Sequence, residues 1–227
     1  MKKKNIKKRV IIVVSVIVVA LIAAGVIAGP VLMETSKMSP LATGEVIPGI
    51  YAIKDGYVNM FLIKAPGGKY IAVDAGSNAS IVRNGLDSLG IPISDVSAVI
   101  MTHTHGDHTG ALSVFENAAV YGSVNTKFNS ITKTLSDGES VEIEGISVKC
   151  FDTPGHYEDS VSYLINGEIL FTGDTLSLRN NKVGLFVSRF NSSDEQQELD
   201  IKKLAGITGV QYIITAHFGF TDRAIFP

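Results

Sequence analysis

Five histidines occur among the 227 residues, and each stands where a run of apolar residues gives way to Gly, Thr or Pro. They are His103, His105, His108, His156 and His217. Random placement would leave some of them on a helix face or in a charged stretch, and the sequence pattern puts none there. His103 and His105 are two apart, so in an extended segment both imidazoles project to one side and can grip one ion. Asp107 and His108 follow at the turn and point toward a neighbouring position. His156 ends Thr153-Pro154-Gly155-His156, Asp174 lies in Thr172-Gly173-Asp174-Thr175, and His217 lies in Thr215-Ala216-His217-Phe218-Gly219. Imidazole nitrogen and carboxylate oxygen both suit Zn²⁺, with bonds of ~2.0–2.2 Å. These seven donors are too many for one tetrahedral ion. They suit two ions that share a bridging carboxylate and a bridging hydroxide.

The run His103-Thr104-His105-Gly106-Asp107-His108, followed by a lone His, a lone Asp and a lone His, resembles the metallo-β-lactamase superfamily. Val73-Asp74-Ala75-Gly76 upstream is similar to that family's strand-end Asp-x-Gly segment, and the likeness extends from Glu45 to about Phe220. The resemblance implies an α+β fold, the four-layer αβ/βα sandwich. It further implies that His103, His105 and His156 hold a first metal, that Asp107, His108 and His217 hold a second, and that Asp174 bridges them. Asp74 then fixes the motif loop by hydrogen bonds; a plain turn-capping role is the competing reading. Two zinc ions per chain are expected, with iron as the alternative, because some relatives use a single Fe²⁺ to oxidise sulfur compounds.

The expected chemistry is attack on a carbonyl or phosphoryl centre by a hydroxide shared between metals ~3.5–4 Å apart. Two Zn²⁺, two carboxylates and a hydroxide leave a centre of about +1, which favours charge developing on a substrate oxygen. Asp107 and Asp174 are the expected catalytic carboxylates, and Asp107 is also a candidate for passing a proton. Departures from known branches narrow the substrate. Zinc β-lactamases of the best-known kind carry Cys where this chain has Asp174, which disfavours antibiotic hydrolysis. Glyoxalase II adds a C-terminal helical domain, and only ten residues follow His217 here. The nucleases carry an inserted domain and a basic face. The leading expectation is a hydrolase acting on a small thioester, lactone or related ester. A persulfide dioxygenase with one iron, an antibiotic hydrolase and a non-catalytic metal- or partner-binding protein stand as alternatives.

The elements that must present these donors follow from periodicity. Strand-like runs occupy 46–53, 57–64 and 69–73, separated by Asp55-Gly56 and Pro66-Gly67-Gly68. Residues 78–89 show helical spacing, with Ile81, Val82, Leu86 and Leu89 on one face, and Gly90 stops them. A buried strand at 98–101 runs into the histidine motif. Strands at 141–143, 146–151, 161–165, 168–171 and 210–214, with a helix at 193–204, complete a second, similar half. Its helix carries Asp194 and Glu195 in the first turn and Lys202 and Lys203 in the last, as the helix dipole favours. Two sheets covered by helices is the architecture this implies. Segments 53–59 and 176–191 are the expected substrate-facing loops, where Arg179, Lys182 and Arg189 are either anion contacts or solvated charges. Tyr157 reads as packing or exposed, with oxyanion donation as the sharper option.

Composition changes sharply near residue 30. Residues 1–9 carry six of the 20 basic side chains and no acid, and 19 uncharged residues follow from Val10 to Ala28. About 20 apolar residues span a bilayer core, so 10–29 reads as a transmembrane helix with a cytoplasmic basic flank. A cleaved signal peptide ending near Ala28 is the rival reading. Residues 30–44 read as a linker and 45–227 as one extracytoplasmic catalytic domain. From Glu34 onward 14 basic residues face 22 acidic ones, a net of −8. Such a surface disfavours nucleic acid, leaving a small-molecule substrate and the membrane as expected partners. The single cysteine, Cys150, excludes an internal disulfide and reads as a buried small hydrophobe.

Overall fold

The computed structural model describes Gly29 and residues 32–227. The helix expected over 10–29 therefore lies outside the described residues apart from Gly29. Among the described residues no helix is long and apolar enough to cross a membrane. The chain divides into two units at residue 38, and in the first, residues 32–35 form a helical turn closed by Lys37 Nζ on Glu34 at 2.8 Å. The unit from Ser39 to Pro227 carries everything that follows.

Its first seven strands are β1 (Gly44–Ile47), β2 (Ile50–Asp55), β3 (Val58–Lys64), β4 (Tyr70–Val73), β5 (Val96–Ile100), β6 (Ala119–Ser123) and β7 (Lys133–Leu135). They form one sheet in chain order. A second sheet runs β15-β14-β11-β10-β9-β8, built from β8 (Ser140–Ile143), β9 (Ile146–Asp152), β10 (Val161–Ile165), β11 (Ile169–Phe171), β14 (Tyr212–Ile214) and β15 (Phe220–Thr221). Strands β12 (Ser177–Arg179) and β13 (Lys182–Gly184) make a separate hairpin. Helices α1 (Ala79–Leu89) and α3 (Asp194–Ala205) cover the sheets, and a single turn, α2 (Gly106–Thr109), follows β5.

Strand alternation sorts side chains between two cores. Ala52, Phe61, Val73 and Ile100 face the second sheet and meet Val148, Cys150, Tyr163 and Phe171 there. Their neighbours Ile53, Leu62, Ala72 and Val99 face outward onto Val82 and Leu86 of α1. Helix α1 begins where Asn78 accepts from the amides of Ser80 and Ile81, and it ends at Gly90 with φ +65°. Cys150 is fully buried and burial pushes its thiol up to about 12, so it acts as a core residue.

One expected strand splits. Residues 46–53 are β1 and β2, broken at Pro48-Gly49, where Gly49 takes φ +81°. Proline has no amide to donate and glycine supplies the left-handed turn, so the chain reverses. Strands β6, β7, β12, β13 and β15 were not anticipated. Hairpin β12–β13 turns on Asn180 and Asn181, both left-handed at φ +51° and +64°, a two-residue turn that asparagine tolerates well.

Parallel pairing aims the fold at one edge. β4 runs parallel to β5, and β11 parallel to β14, so each pair delivers its C-terminal ends together. The two sheets are tied there by Val161 N donating to Thr102 O at 2.8 Å and by Tyr163 Oη donating to Met101 O at 2.9 Å. Tyr163→Phe removes that buried hydroxyl and costs about 1 kcal/mol. Urea unfolding of the metal-free variant should show a lower midpoint with an unchanged slope, and an unaltered midpoint would contradict the tie.

Candidate metal centre

Every donor expected from the sequence lies at the C-terminal edge of a strand or just beyond it. His103 follows β5, and His105 caps the turn α2, which displays Asp107 and His108. The motif's second half is thus helical rather than loop. One turn opening on Gly106 is too short to leave a periodic signal. His156 follows β9, Asp174 follows β11, and His217 follows β14. Gly173 makes the approach possible. Its φ is +52°, and a Cβ there would sit 2.5 Å from Thr102 Oγ1. Gly155 is equally constrained, since a Cβ would lie 2.3 Å from the backbone nitrogen of Gln197.

The donors form three overlapping groups, in which His103 and His108 with Asp174 link the two outer ones. His103, His105 and His156 converge, with His103 Nε2 at 3.2 Å and His156 Nε2 at 3.0 Å from His105 Nδ1. Asp107, His108 and His217 form the other outer group. Asp174 stands between them with one oxygen for each. Its Oδ2 lies 3.4 Å from His156 Nε2 and 3.8 Å from His103 Nε2. Its Oδ1 lies 3.2 Å from His217 Nε2 and 3.5 Å from His108 Nε2. Asp107 Oδ2 reaches His217 Nε2 at 3.5 Å and His108 Nε2 at 3.8 Å.

Other contacts turn each ring. His108 Nδ1 donates to Asp74 Oδ2 at 2.8 Å, and His217 Nδ1 donates to Tyr57 O at 2.7 Å. His156 Nδ1 donates to Asn191 Oδ1 at 3.1 Å. Thr102 Oγ1 gives its proton to Asp74, so it accepts from His103 Nδ1 at 3.2 Å. The Nε2 lone pairs of all four rings are thereby directed inward. Asp74 also accepts from Thr102 N at 2.7 Å and holds φ +60°, so its carboxylate braces the motif loop and orients a histidine. That arrangement goes beyond turn capping.

The residues fit metal ions. His108 Nε2, His217 Nε2 and Asp174 Oδ1 are buried without a hydrogen-bond partner, and they face one another. Leaving such atoms unpaired costs about 1–3 kcal/mol each, more for charged groups. Bonds of ~2.0–2.1 Å to a tetrahedral ion would put its ligand nitrogens about 3.3 Å apart, close to the spacings around His105. The two outer groups differ in charge. Burial, with His108 adding to it, holds His103 well below the ordinary histidine range, and burial also lowers His105 and His156. For His108 and His217 burial opposes protonation, yet Asp174 with the other nearby carboxylates raises both, His108 strongly. Burial opposes ionisation of Asp174 as well, and the charges on His217 and His108 overcome it, holding that carboxyl well below its usual range.

Around the donors lie residues from the expected substrate-facing loops and others that the sequence did not single out, Asp159 among them. Tyr57 stacks on His217 with ring centres 5.7 Å apart, and Phe186 packs against His156 and His217 at 5.0 and 5.5 Å. Tyr157 packs on His105 at 4.5 Å. Arg179, Lys182 and Arg189 are exposed, and Arg179 lies over the Phe218 ring. Asp159 accepts from Thr104 Oγ1, inside the motif, and from Thr126 Oγ1, both at 2.8 Å. An Asp or Asn near a motif is too common in turns to be singled out without the fold.

Two outcomes follow. Asp74→Ala strands the Thr102 amide and the His108 ring N–H, and should lower metal affinity about 10–100-fold, read by chelator competition. Protons on His108 and His217 must leave when a cation binds there, so affinity at that position falls as pH drops through their raised range. The neutral group around His105 is spared until lower pH. Dialysis at about pH 8 and about pH 6 should therefore strip one metal equivalent before the other; simultaneous loss would contradict the assigned charges.

Comparison with known proteins finds similarity in the motif segment and in the fold. Residues 53–127 match the model of the Metallo-beta-lactamase superfamily. A hydroxyacylglutathione hydrolase of Thiobacillus denitrificans is 39% identical over 111 residues, covering 47% of this chain and 41% of that one. Another, from Hahella chejuensis, is 29% identical over 182 residues, covering 76% and 65%. The aligned stretches thus span less than two thirds of these relatives' own length. A metallo-beta-lactamase family protein from Thermus thermophilus superposes with TM-score 0.61 at 22% identity, covering 79% of this chain and 76% of its own. A metallo-beta-lactamase of Cronobacter sakazakii gives 0.65 at 17%, covering 83% and 78%. At those identities the structures attest the shared fold, and the superfamily model matches residues 53–127, the segment that carries the histidine motif.

Proposed function

We propose that this domain is a metal-dependent hydrolase that uses two zinc ions to cleave a thioester. The observation that carries the reading is Asp174, whose two buried oxygens each face a separate group of histidines. In this reading His103, His105 and His156 would hold one ion, Asp107, His108 and His217 would hold the other, and Asp174 would be shared between them. The ions, when bound, supply Lewis acidity toward a carbonyl oxygen and a deprotonated water at neutral pH. The protein's own residues orient and shield. Asp74, Asn191 and the Tyr57 carbonyl keep the imidazoles turned inward. Asp107, with its side chain 19% exposed, is the most open acid of the site; its Oδ2, which faces His108 and His217, would hold the second ion, leaving its other oxygen for proton transfer. Tyr57, which is exposed, offers aromatic surface to the acyl group, and the buried Phe186 packs behind His156 and His217. The thioester assignment is supported by the name of the matching relatives, hydroxyacylglutathione hydrolase. It fits the chemistry too, since a thiolate leaves without strong acid assistance.

The test is a metal-loaded full chain assayed against a hydroxyacylglutathione thioester, a lactone and a β-lactam, with metal content measured on the same sample. Two zinc per chain and preference for the thioester are expected. One iron with oxygen uptake, or preference for the β-lactam, would replace the reading. His105→Ala and Asp174→Ala should each lower kcat/KM by about 1000-fold or more, since Lewis-acid stabilisation is worth several kcal/mol.

We further propose that residues 10–28 anchor the domain on the outer face of a membrane, on the strength of their 19 uncharged residues behind a basic flank. Retention in carbonate-washed membranes with the domain open to external protease is the expected result. Release by the wash would remove the anchor.

A further inference from the structure

Helix α3 is polar along most of its length, yet Gln197 on its inner face is fully buried. A buried amide is tolerated only where its polar atoms are paired, and here all four positions are filled. Gln197 Oε1 accepts from Phe186 N at 2.9 Å and from Asn191 Nδ2 at 2.8 Å. Its Nε2 donates to Asp174 O at 3.2 Å and to Asn191 Oδ1 at 3.1 Å. The two side-chain amides pair reciprocally, and the Phe186 N–H and Asp174 carbonyl fix which end of Gln197, and through it of Asn191, is oxygen. Asn191 Nδ2 donates also to Asp194 Oδ1 at 2.7 Å, reinforcing the same orientation.

The consequence reaches the metal centre. With Asn191 Oδ1 fixed, His156 must carry its proton on Nδ1, and its Nε2 lone pair points at His105 and Asp174. Gln197 holds the Asp174 backbone in the same network. Through the Phe186 amide it also seats the ring that packs on both His156 and His217. The surrounding loop is latched to the start of α3 as well. Ser193 N donates to Gly155 O and Ser192 N to His156 O, both at 2.9 Å, and Gly155 N donates to Asp200 Oδ2 at 2.7 Å.

We infer that Gln197, acting through Asn191, is a positioning residue that presets His156 and Asp174 for the first metal while seating the Phe186 wall. It touches none of the reacting atoms. The inference rests on the two-metal reading, and the experiment separates their failures. Gln197→Met keeps the volume and removes all four hydrogen bonds; Asn191→Leu, at a less buried position, cuts the same path if the first variant fails to fold. Zn²⁺ affinity is measured by chelator competition, and the visible absorption of the Co²⁺-loaded protein is recorded, with near-UV circular dichroism as the check on folding.

Each folded variant should lose about 10–100-fold in affinity at one of two metal positions and show an altered Co²⁺ spectrum. The double variant should lose no more than the worse single one, because both residues act along one path. Parental affinities and an unchanged spectrum in a folded variant would overturn the inference and leave the two-metal reading intact. A parent chain that takes up no metal would overturn that reading, and the inference with it.

Discussion

A single buried carboxylate governs this molecule. Asp174 lies 4% exposed among four inward-facing imidazole nitrogens, and its charge persists only because positive charge surrounds it. Isolating a carboxylate from water is costly without compensation. In the metal-free protein protons on His108 and His217 provide it. Metal ions held by these side chains would do so better, since their charge would be fixed beside the carboxylate and the inward-facing ring nitrogens. The site is therefore strained toward metal by its own electrostatics, and the rest of the fold has to bear the cost of holding seven donors together.

It does so through topology and close approach. Parallel pairs β4–β5 and β11–β14 bring four strand ends to one edge, but strand ends alone would leave the sheets too far apart for bonds of ~2 Å. Glycines remove the obstacle at particular contacts. Gly173 lets the Asp174 loop touch Thr102, and Gly155 lets the His156 loop abut α3. Gly110 plays the same part for α2, where a Cβ would sit 2.3 Å from Ser77 O. Hydrogen bonds from Ala75 N to His108 O and from Ala111 N to Gly76 O then lock α2 against the turn that bears Asp74.

The convergence of the seven side chains was legible because the order His-x-His-x-Asp-His, then a lone His, Asp and His, is distinctive along the chain. Helix α1 was legible from the face shared by Ile81, Val82, Leu86 and Leu89 and from its stop at Gly90, while Asn78, read as its first residue, is its N-cap. Strands β6 and β7 were not, because Ala119–Ser123 and Lys133–Leu135 are short and the latter is largely exposed. The supports were also hidden. Gln197 sits in a helix of polar residues, and nothing in its local pattern distinguishes it from the exposed Glu198 beside it. Its role arises from residues 186, 191 and 174, which only the tertiary fold assembles.

The supports differ in kind between the two groups, and that difference bears on how they respond to pH. His108 is oriented by a carboxylate, Asp74, which raises its proton affinity along with its ligand strength. His156 is oriented by a neutral amide, and His103 by a hydroxyl, which direct the ring without adding charge. A carboxylate-backed imidazole binds a cation more strongly once deprotonated but gives up its proton less readily. The group around His105 thus comes ready to accept an ion near neutral pH. The group around His108 would first have to release protons held by Asp174 and Asp74, so the two sets of rings are made unequal by what stands behind each.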